Sequence, residues 1–178
     1  MSAPRCRFKV TFAGDATVGK TSIIARYLGT KDISLISKTR GVSIENAKYE
    51  DVELIIWDFS GQKHYRDVIL PFLKGSHIVV LVFDLSRRET LVNLINEWAK
   101  YVEDSLGNNV PVIIVGNKKD LKVLRDEFIN SALEVMKKHL NVVEYMETSA
   151  LHGDGIESLF NKLFQIAHEA CAMLKNSN

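Results

Sequence analysis

Cysteine, net charge, long apolar runs and repeats are all scarce in this sequence, and each scarcity narrows what the chain can be. Its 178 residues hold two cysteines, Cys6 and Cys171, near opposite ends. Two isolated thiols so placed are expected to stay unpaired, Cys171 as a packed or surface thiol within a helical pattern, in a reducing compartment. No apolar run approaches the roughly 18 residues that a membrane span needs, and residues 1–5 lack a signal-peptide core. The last residues read Asn176-Ser177-Asn178, without a Cys-a-a-X or paired-cysteine ending. The expected location is therefore the cytoplasm, or peripheral attachment to an intracellular membrane through a lipidated tail not seen in this sequence. Lys+Arg (23) nearly balance Asp+Glu (22), a net charge of +1 that gives no reason to expect a nucleic-acid partner. Repeats, low-complexity tracts and long linkers are lacking too. What remains is a single domain over residues 1–178, monomeric by expectation, with 46% hydrophobic and 25% charged residues. That is ordinary soluble composition, at a length sufficient to bury a core.

Short β-type runs alternate with helical patterns. Strands are expected at 8–13, 42–49, 52–57, 78–84, 110–116 and 142–146, and helices at 22–28, 91–106, 126–140 and 155–174. Ile78-Val79-Val80-Leu81-Val82-Phe83 is apolar on both faces, as strands of a parallel sheet covered by helices on both sides must be. Only Glu50-Asp51 separates the second and third strands, so these two should form an antiparallel edge hairpin. The expected fold is a doubly wound α/β domain with about six strands, mostly parallel; the Gly14–Thr21 loop that follows the first strand and matches G-x-x-x-x-G-K-[ST] makes it of the P-loop nucleotide-hydrolase type. Ligands bind such sheets beyond the carboxyl ends of the strands.

The richest signal lies there. Gly14-Asp15-Ala16-Thr17-Val18-Gly19-Lys20-Thr21 fits G-x-x-x-x-G-K-[ST], directly after one strand and before a helix that Ser22 continues. In that context the glycines let successive N–H groups point inward as an anion nest, and the helix N-terminus adds partial positive charge. Lys20 would reach the β- and γ-phosphates of a nucleotide, and the Thr21 hydroxyl would ligate Mg²⁺. Three further polar clusters follow strand ends on the same rim: Asp58-Phe59-Ser60-Gly61-Gln62, Asn117-Lys118-Lys119-Asp120 and Thr148-Ser149-Ala150. The two oxygens of Asp120 suit the adjacent N1–H and N2–H₂ donors of guanine. Adenine has an acceptor at N1 and no amine at C2, so a carboxylate facing it would lose its partners. Asn117 can bridge base and loops, the Lys118 stem can cover a ring face, and the Ala150 N–H can meet guanine O6. Ser149 and Leu151 flank that contact.

The pattern resembles the Ras-like small GTPases, closest to the Rab branch, over about residues 7–174. The resemblance rests on residues 14–21, Thr39, Asp58–Gln62, Asn117–Asp120 and Thr148–Ala150. It implies a switch that binds GTP and GDP with Mg²⁺ and hydrolyses GTP, regulating vesicle or membrane traffic. Thr39 would close on Mg²⁺ and the γ-phosphate, Gly61 would donate its N–H to that phosphate, and Gln62 would orient the attacking water. Thr21, Thr39 and Asp58 would make up the metal site, Asp58 through a bound water. Effectors, an exchange factor and a GTPase-activating partner would dock around Thr39 and Gln62. Trp57 and Tyr65 match members of the aromatic effector surface.

Several positions depart from the family pattern. Phe59-Ser60 replaces Thr-Ala, Lys63 replaces an acid, Leu151 replaces a lysine, and Arg40 and Ile44 replace apolar residues of the effector strand. Lys63 is expected to repel Lys20 when switch II is pushed inward during exchange. His64 is read as an outward-facing neighbour, Trp98 as core, and His139, His152 and His168 as lacking metal-like spacing. Two rival readings stand beside the switch: a P-loop kinase or ATPase, disfavoured by Asp120, and a nucleotide-binding scaffold with little turnover.

Overall fold

The computed structural model describes residues 6–30, 36 and 38–176. Six strands form one sheet in the order β2-β3-β1-β4-β5-β6. They are β1 (Cys6–Ala13), β2 (Val42–Tyr49), β3 (Val52–Phe59), β4 (Ile78–Asp84), β5 (Pro111–Asn117) and β6 (Asn141–Glu147). Only β2 and β3 pair antiparallel; every other pairing is parallel. All seven residues of β4 are buried, the result of apolar side chains on both faces. The two-residue hairpin turn puts Glu50 at φ 53°, the left-handed conformation such a turn requires.

Helices cover both faces. On one side α1 (Lys20–Tyr27) and α6 (Ile156–Asn176) bury Val10, Phe12, Leu54 and Ile56 against Ile23, Phe160 and Leu163. On the other, α3 (Arg88–Asn93), α4 (Ala99–Leu106) and α5 (Asp126–Lys137) bury Val79, Leu81 and Phe83 against Leu91, Val102 and Ile129. A single π-helical segment, Leu94–Trp98, joins α3 to α4. Between β3 and β4 the chain makes two 3₁₀ turns around the short helix α2 (Arg66–Ile69), an element that sequence periodicity did not anticipate.

The cysteines correct an expectation. Cys6 opens β1 and Cys171 lies near the end of α6; their Cα atoms are 6.0 Å apart and the sulfurs are bonded. The 165 residues between them do not keep them apart, because the first strand is central and the last helix runs back along it. With the pairing goes the cysteine argument for a reducing compartment. None of the described helices is long and apolar enough to cross a membrane.

Candidate functional site

A cavity of about 440 Å³ opens at the carboxyl ends of the strands, lined by residues 16, 17 and 19–22 and by Thr39, Gly61, Gln62, Asn117, Lys118, Asp120, Ala150 and Leu151. That size suits a small-molecule ligand. Of the predicted site residues, Gly14, Asp15, Val18, Asp58 and Ser149 stand behind this lining, and all are placed by the same loops.

The phosphate loop is built by steric exclusion. Gly19 sits at φ 101°, where an added Cβ would lie 2.2 Å from Nδ2 of Asn117. A Cβ on Gly61 would lie 2.1 Å from the Ala16 backbone nitrogen, so only glycine lets the β3 exit approach the loop this closely. Lys20 is buried, and its Nζ donates to the carbonyls of Gly14 (2.8 Å) and Asp15 (2.7 Å). Burial pushes its pKa down to about 8, although Asp58 and Asp15 pull the other way. An anion beside such a cation offsets its desolvation.

At the metal corner, three residues from three separate segments meet. The Oγ1 atoms of Thr21 and Thr39 are 2.6 Å apart, and both contact Oδ2 of Asp58, Thr39 at 3.1 Å. Asp58 is buried, and its Oδ1 has no hydrogen-bond partner among the described residues. Burial raises the pKa of its carboxyl, against the hydrogen bond from Thr21. Two hydroxyls and an orphaned carboxylate oxygen form the hard oxygen donor set that Mg²⁺ takes. The donors present therefore fit the ion.

At the other end Asn117 braces three loops. Its Nδ2 donates to the Val18 carbonyl (2.9 Å), and its Oδ1 accepts from Thr148 Oγ1 (2.9 Å) and the Ala150 N–H (3.3 Å). Ser149 Oγ donates to one oxygen of Asp120 at 2.6 Å. Lys118 adopts φ 62°, and its Nζ reaches Asp84 at 2.7 Å. Leu151 is exposed. Gln62 is half-buried at the cavity wall, with its N–H 3.3 Å from Ser60 Oγ. The departures Phe59 and Ser60 are both buried, Phe59 in the core and Ser60 with its N–H on the Gly41 carbonyl at 2.8 Å. His64 is exposed and lies against the Tyr65 ring at a tilt of 45°.

Several supporting residues escaped the sequence reading. Asp15 accepts from Asn93 Nδ2 (2.6 Å), Trp98 Nε1 (2.9 Å) and Arg66 Nη2 (3.3 Å). Arg66 in turn pairs with Glu97 and lies over the Trp98 ring. The π segment supplies Glu97 and Trp98, and the last residue of α3 supplies Asn93. Helix α2, through Arg66, is thus tied to the Gly14–Thr21 loop. A buried indole N–H needs an acceptor, and that requirement was the available clue. Arg87 bonds Asp84 (3.0 Å) and the Ala16 carbonyl (3.1 Å). Arg26 of α1 donates to the Ala150 carbonyl at 2.7 Å and also to that of Leu151. Lys63 is exposed in this conformation. The cation whose field lowers the Lys20 pKa is Arg66.

Residues 9–169 match the Ras family. "Ras-related protein Rab-4" of Dictyostelium discoideum is 34% identical over 91% of this chain and 80% of its own length. "Ras-related protein RABA4b" of Arabidopsis thaliana is 34% identical over 88% and 70%. "Ras-related protein Rab11A" of Lotus japonicus is 35% identical over 86% and 68%. Phosphate loop, metal corner and base corner stand on one rim of a sheet whose sequence matches this family over nearly its whole length. The chain therefore belongs to the Ras family of small GTPases, among its Rab-like members, a membership that carries GTP hydrolysis and implies guanine nucleotide with Mg²⁺.

Proposed function

We propose that this GTPase works as a Rab-like switch in membrane traffic, with its cycle run by the residues gathered at the rim. The observation that carries the reading is the meeting of Thr21, Thr39 and Asp58: hydroxyls from two separate segments converge on Oδ2 of a buried carboxylate whose other oxygen, Oδ1, has no hydrogen-bond partner among the described residues. Residues 14–22 cradle the phosphates, and Lys20 neutralises the β- and γ-oxygens. Thr21 and Thr39 offer their hydroxyls to Mg²⁺, and Asp58 holds a water bound to it. That ion would neutralise charge developing on the transferred phosphoryl group. Gly61 donates its N–H to the γ-phosphate, and Gln62 orients the attacking water. Asp120 selects guanine with its two carboxylate oxygens, both of which keep a lone pair beside the bond from Ser149, assisted by Asn117, Lys118 and the Ala150 N–H beside Ser149 and Leu151.

Partners read the state through the segments around Thr39 and Gln62, in a monomeric protein. Trp57 lies against Phe72 (5.6 Å) and under Lys9 Nζ (4.1 Å), with Ile44 and Phe72 exposed beside it. That apolar face suits effectors better than phosphates. Ordering of the 29–39 segment by GTP falls partly outside the described residues. The test is direct: the purified protein is denatured, its nucleotide identified by chromatography, and single-turnover GTP hydrolysis compared with that of Gln62→Leu. Guanine nucleotide and a slower variant are expected. Adenine nucleotide, or no hydrolysis by the wild type, would refute the proposal.

A further inference from the structure

The opposite end of the sheet carries a second polar cluster that the nucleotide chemistry does not use. Glu50 and Asp51 form the β2–β3 turn, and His168 projects from α6 toward them. Its Nε2 lies 3.4 Å from Glu50 Oε2 and 3.7 Å from Asp51 Oδ1. One ligand atom from each of the three residues falls within 4.8 Å of the others. Acidic groups near a surface need no ligand of their own; the histidine is what makes this cluster unusual.

His168 Nδ1 stands 2.8 Å from the Phe164 carbonyl. A carbonyl only accepts, so Nδ1 carries a hydrogen toward it and Nε2 is the nitrogen left facing the two carboxylates. Nε2 is buried and makes no hydrogen bond among the described residues, so neither carboxylate meets it in hydrogen-bonding geometry. An imidazole nitrogen facing two carboxylates calls for a cation, and a metal ion, unlike a proton, can meet all three groups at once. The surroundings also behave as a supporting shell. Lys175 Nζ holds Asp51 Oδ2 at 2.6 Å, leaving Oδ1 for the cluster. The Cys6 N–H donates to the Asp51 carbonyl at 3.1 Å. The bond from Cys6 to Cys171, three residues beyond His168, fixes helix and strand at the same place. Tyr49 closes one side, its ring edge-on to the imidazole.

We propose that His168, Glu50 and Asp51 bind a divalent transition-metal ion of the Zn²⁺ class, fastening the β2–β3 hairpin to α6. One imidazole and two carboxylates leave a fourth position for water, the coordination Zn²⁺ accepts readily. Mg²⁺ and Ca²⁺ favour oxygen donors throughout, so the nitrogen ligand separates this site from the metal corner of the nucleotide pocket.

The test is calorimetric titration of Zn²⁺ into the disulfide-bonded protein loaded with GDP and Mg²⁺. Co²⁺ serves as a second probe, through its visible absorption. One ion per chain is expected. His168→Gln, Glu50→Gln and Asp51→Asn should each weaken binding by roughly tenfold or more, since even outer-shell losses at metal sites reach that size. GDP affinity, measured on every variant, should stay at the wild-type value and so certify the fold. Absence of saturable binding would overturn the proposal and leave a proton as the occupant of Nε2. Wild-type affinity in His168→Gln would overturn it as well. So would loss in that variant with both acid variants unchanged, which would mark a lone histidine.

Discussion

Asp84 shows how a single buried carboxylate can organise the base end of the site. It is fully buried and bonds Lys118, Arg87 and Ser86. Burial alone would raise its pKa, but the bonds from Lys118, Ser86 and Arg87 outweigh that and hold the carboxyl below its ordinary 3.8. The native state thus binds the proton less readily than the unfolded chain. Its stabilisation is present above pH 3.8 and is lost as pH falls through the native pKa. Asp84→Asn should cost about 2 kcal/mol at neutral pH, the scale of charged hydrogen bonds between partly exposed partners. The gap from wild type should close below about pH 3.8. Urea unfolding of both proteins at pH 7 and below pH 4 tests this, and a gap independent of pH would contradict it. Asp120 is the residue proposed to act on the base itself. Asp120→Asn turns one acceptor into a donor, which suits the 2-carbonyl of xanthine better than the guanine amine. Asp120 is exposed until a base covers it, so the cost falls on the base donor left unpaired: GTP affinity should fall by about 1–3 kcal/mol while XTP affinity rises. Competition binding with the two triphosphates reads this, and unchanged GTP affinity would sink the guanine assignment.

Among the elements, the extended segment before β2 decides how much arginine the reaction has. Thr39 points to Asp58 at 3.1 Å, while Arg40 is exposed. With Thr39 turned inward and Arg40 outward, the arginine stands away from the oxygen donors proposed to hold Mg²⁺. Arg40→Ala should therefore leave basal hydrolysis within a factor of about three, less than 1 kcal/mol of barrier. A missing arginine is worth about 10³–10⁵ in rate, which predicts intrinsic turnover on the order of 10⁻⁴ to 10⁻² per second. Single-turnover measurements test both statements, and a hundredfold loss in Arg40→Ala would place that arginine on the phosphates. Local pattern explains what the sequence made legible. The apolar run of Ile78–Asp84 and the two-residue gap at Glu50-Asp51 are local signals; they predicted β4 and β2 with their observed bounds, while β3 runs two residues beyond the expected 52–57, to Phe59. The site loops follow strand ends, so position along the chain sufficed to bring Asp58, Asn117 and Ser149 to one rim. The helix after β4 was less legible, because the π segment Leu94–Trp98 breaks the 3.6-residue period while aiming Trp98 at Asp15. Helix α2 has only four residues, too few for any periodicity. The Arg66–Asp15 contact spans 51 positions, and no local pattern encodes a pairing of that kind.

At the scale of the whole molecule, the Cys6–Cys171 bond closes nearly the entire chain into one loop. Loop-closure entropy grows with the logarithm of length, so a loop of this size lies at the upper end of what one crosslink contributes, about 2–5 kcal/mol. The bond also holds the end of α6 on the sheet, where Lys175 and His168 meet the hairpin turn. It acts far from the nucleotide. Cys6 opens an eight-residue strand and the phosphate loop follows the strand's other end, a separation of about 25 Å at the usual rise per residue. Stability and nucleotide binding should accordingly respond differently to its loss. Cys171→Ser should lower the melting temperature by roughly 5–15 °C in a chain of this size, and reductant should bring the wild type down to the same value. GDP affinity should stay within a factor of about three in both cases. Reductant should leave the serine variant itself unaffected, which distinguishes loss of the bond from a general solvent effect. Thermal unfolding with and without reductant, paired with GDP titration, checks all three. Equal melting temperatures for the oxidised wild type and the variant would show that packing of α6, rather than the crosslink, carries the connection.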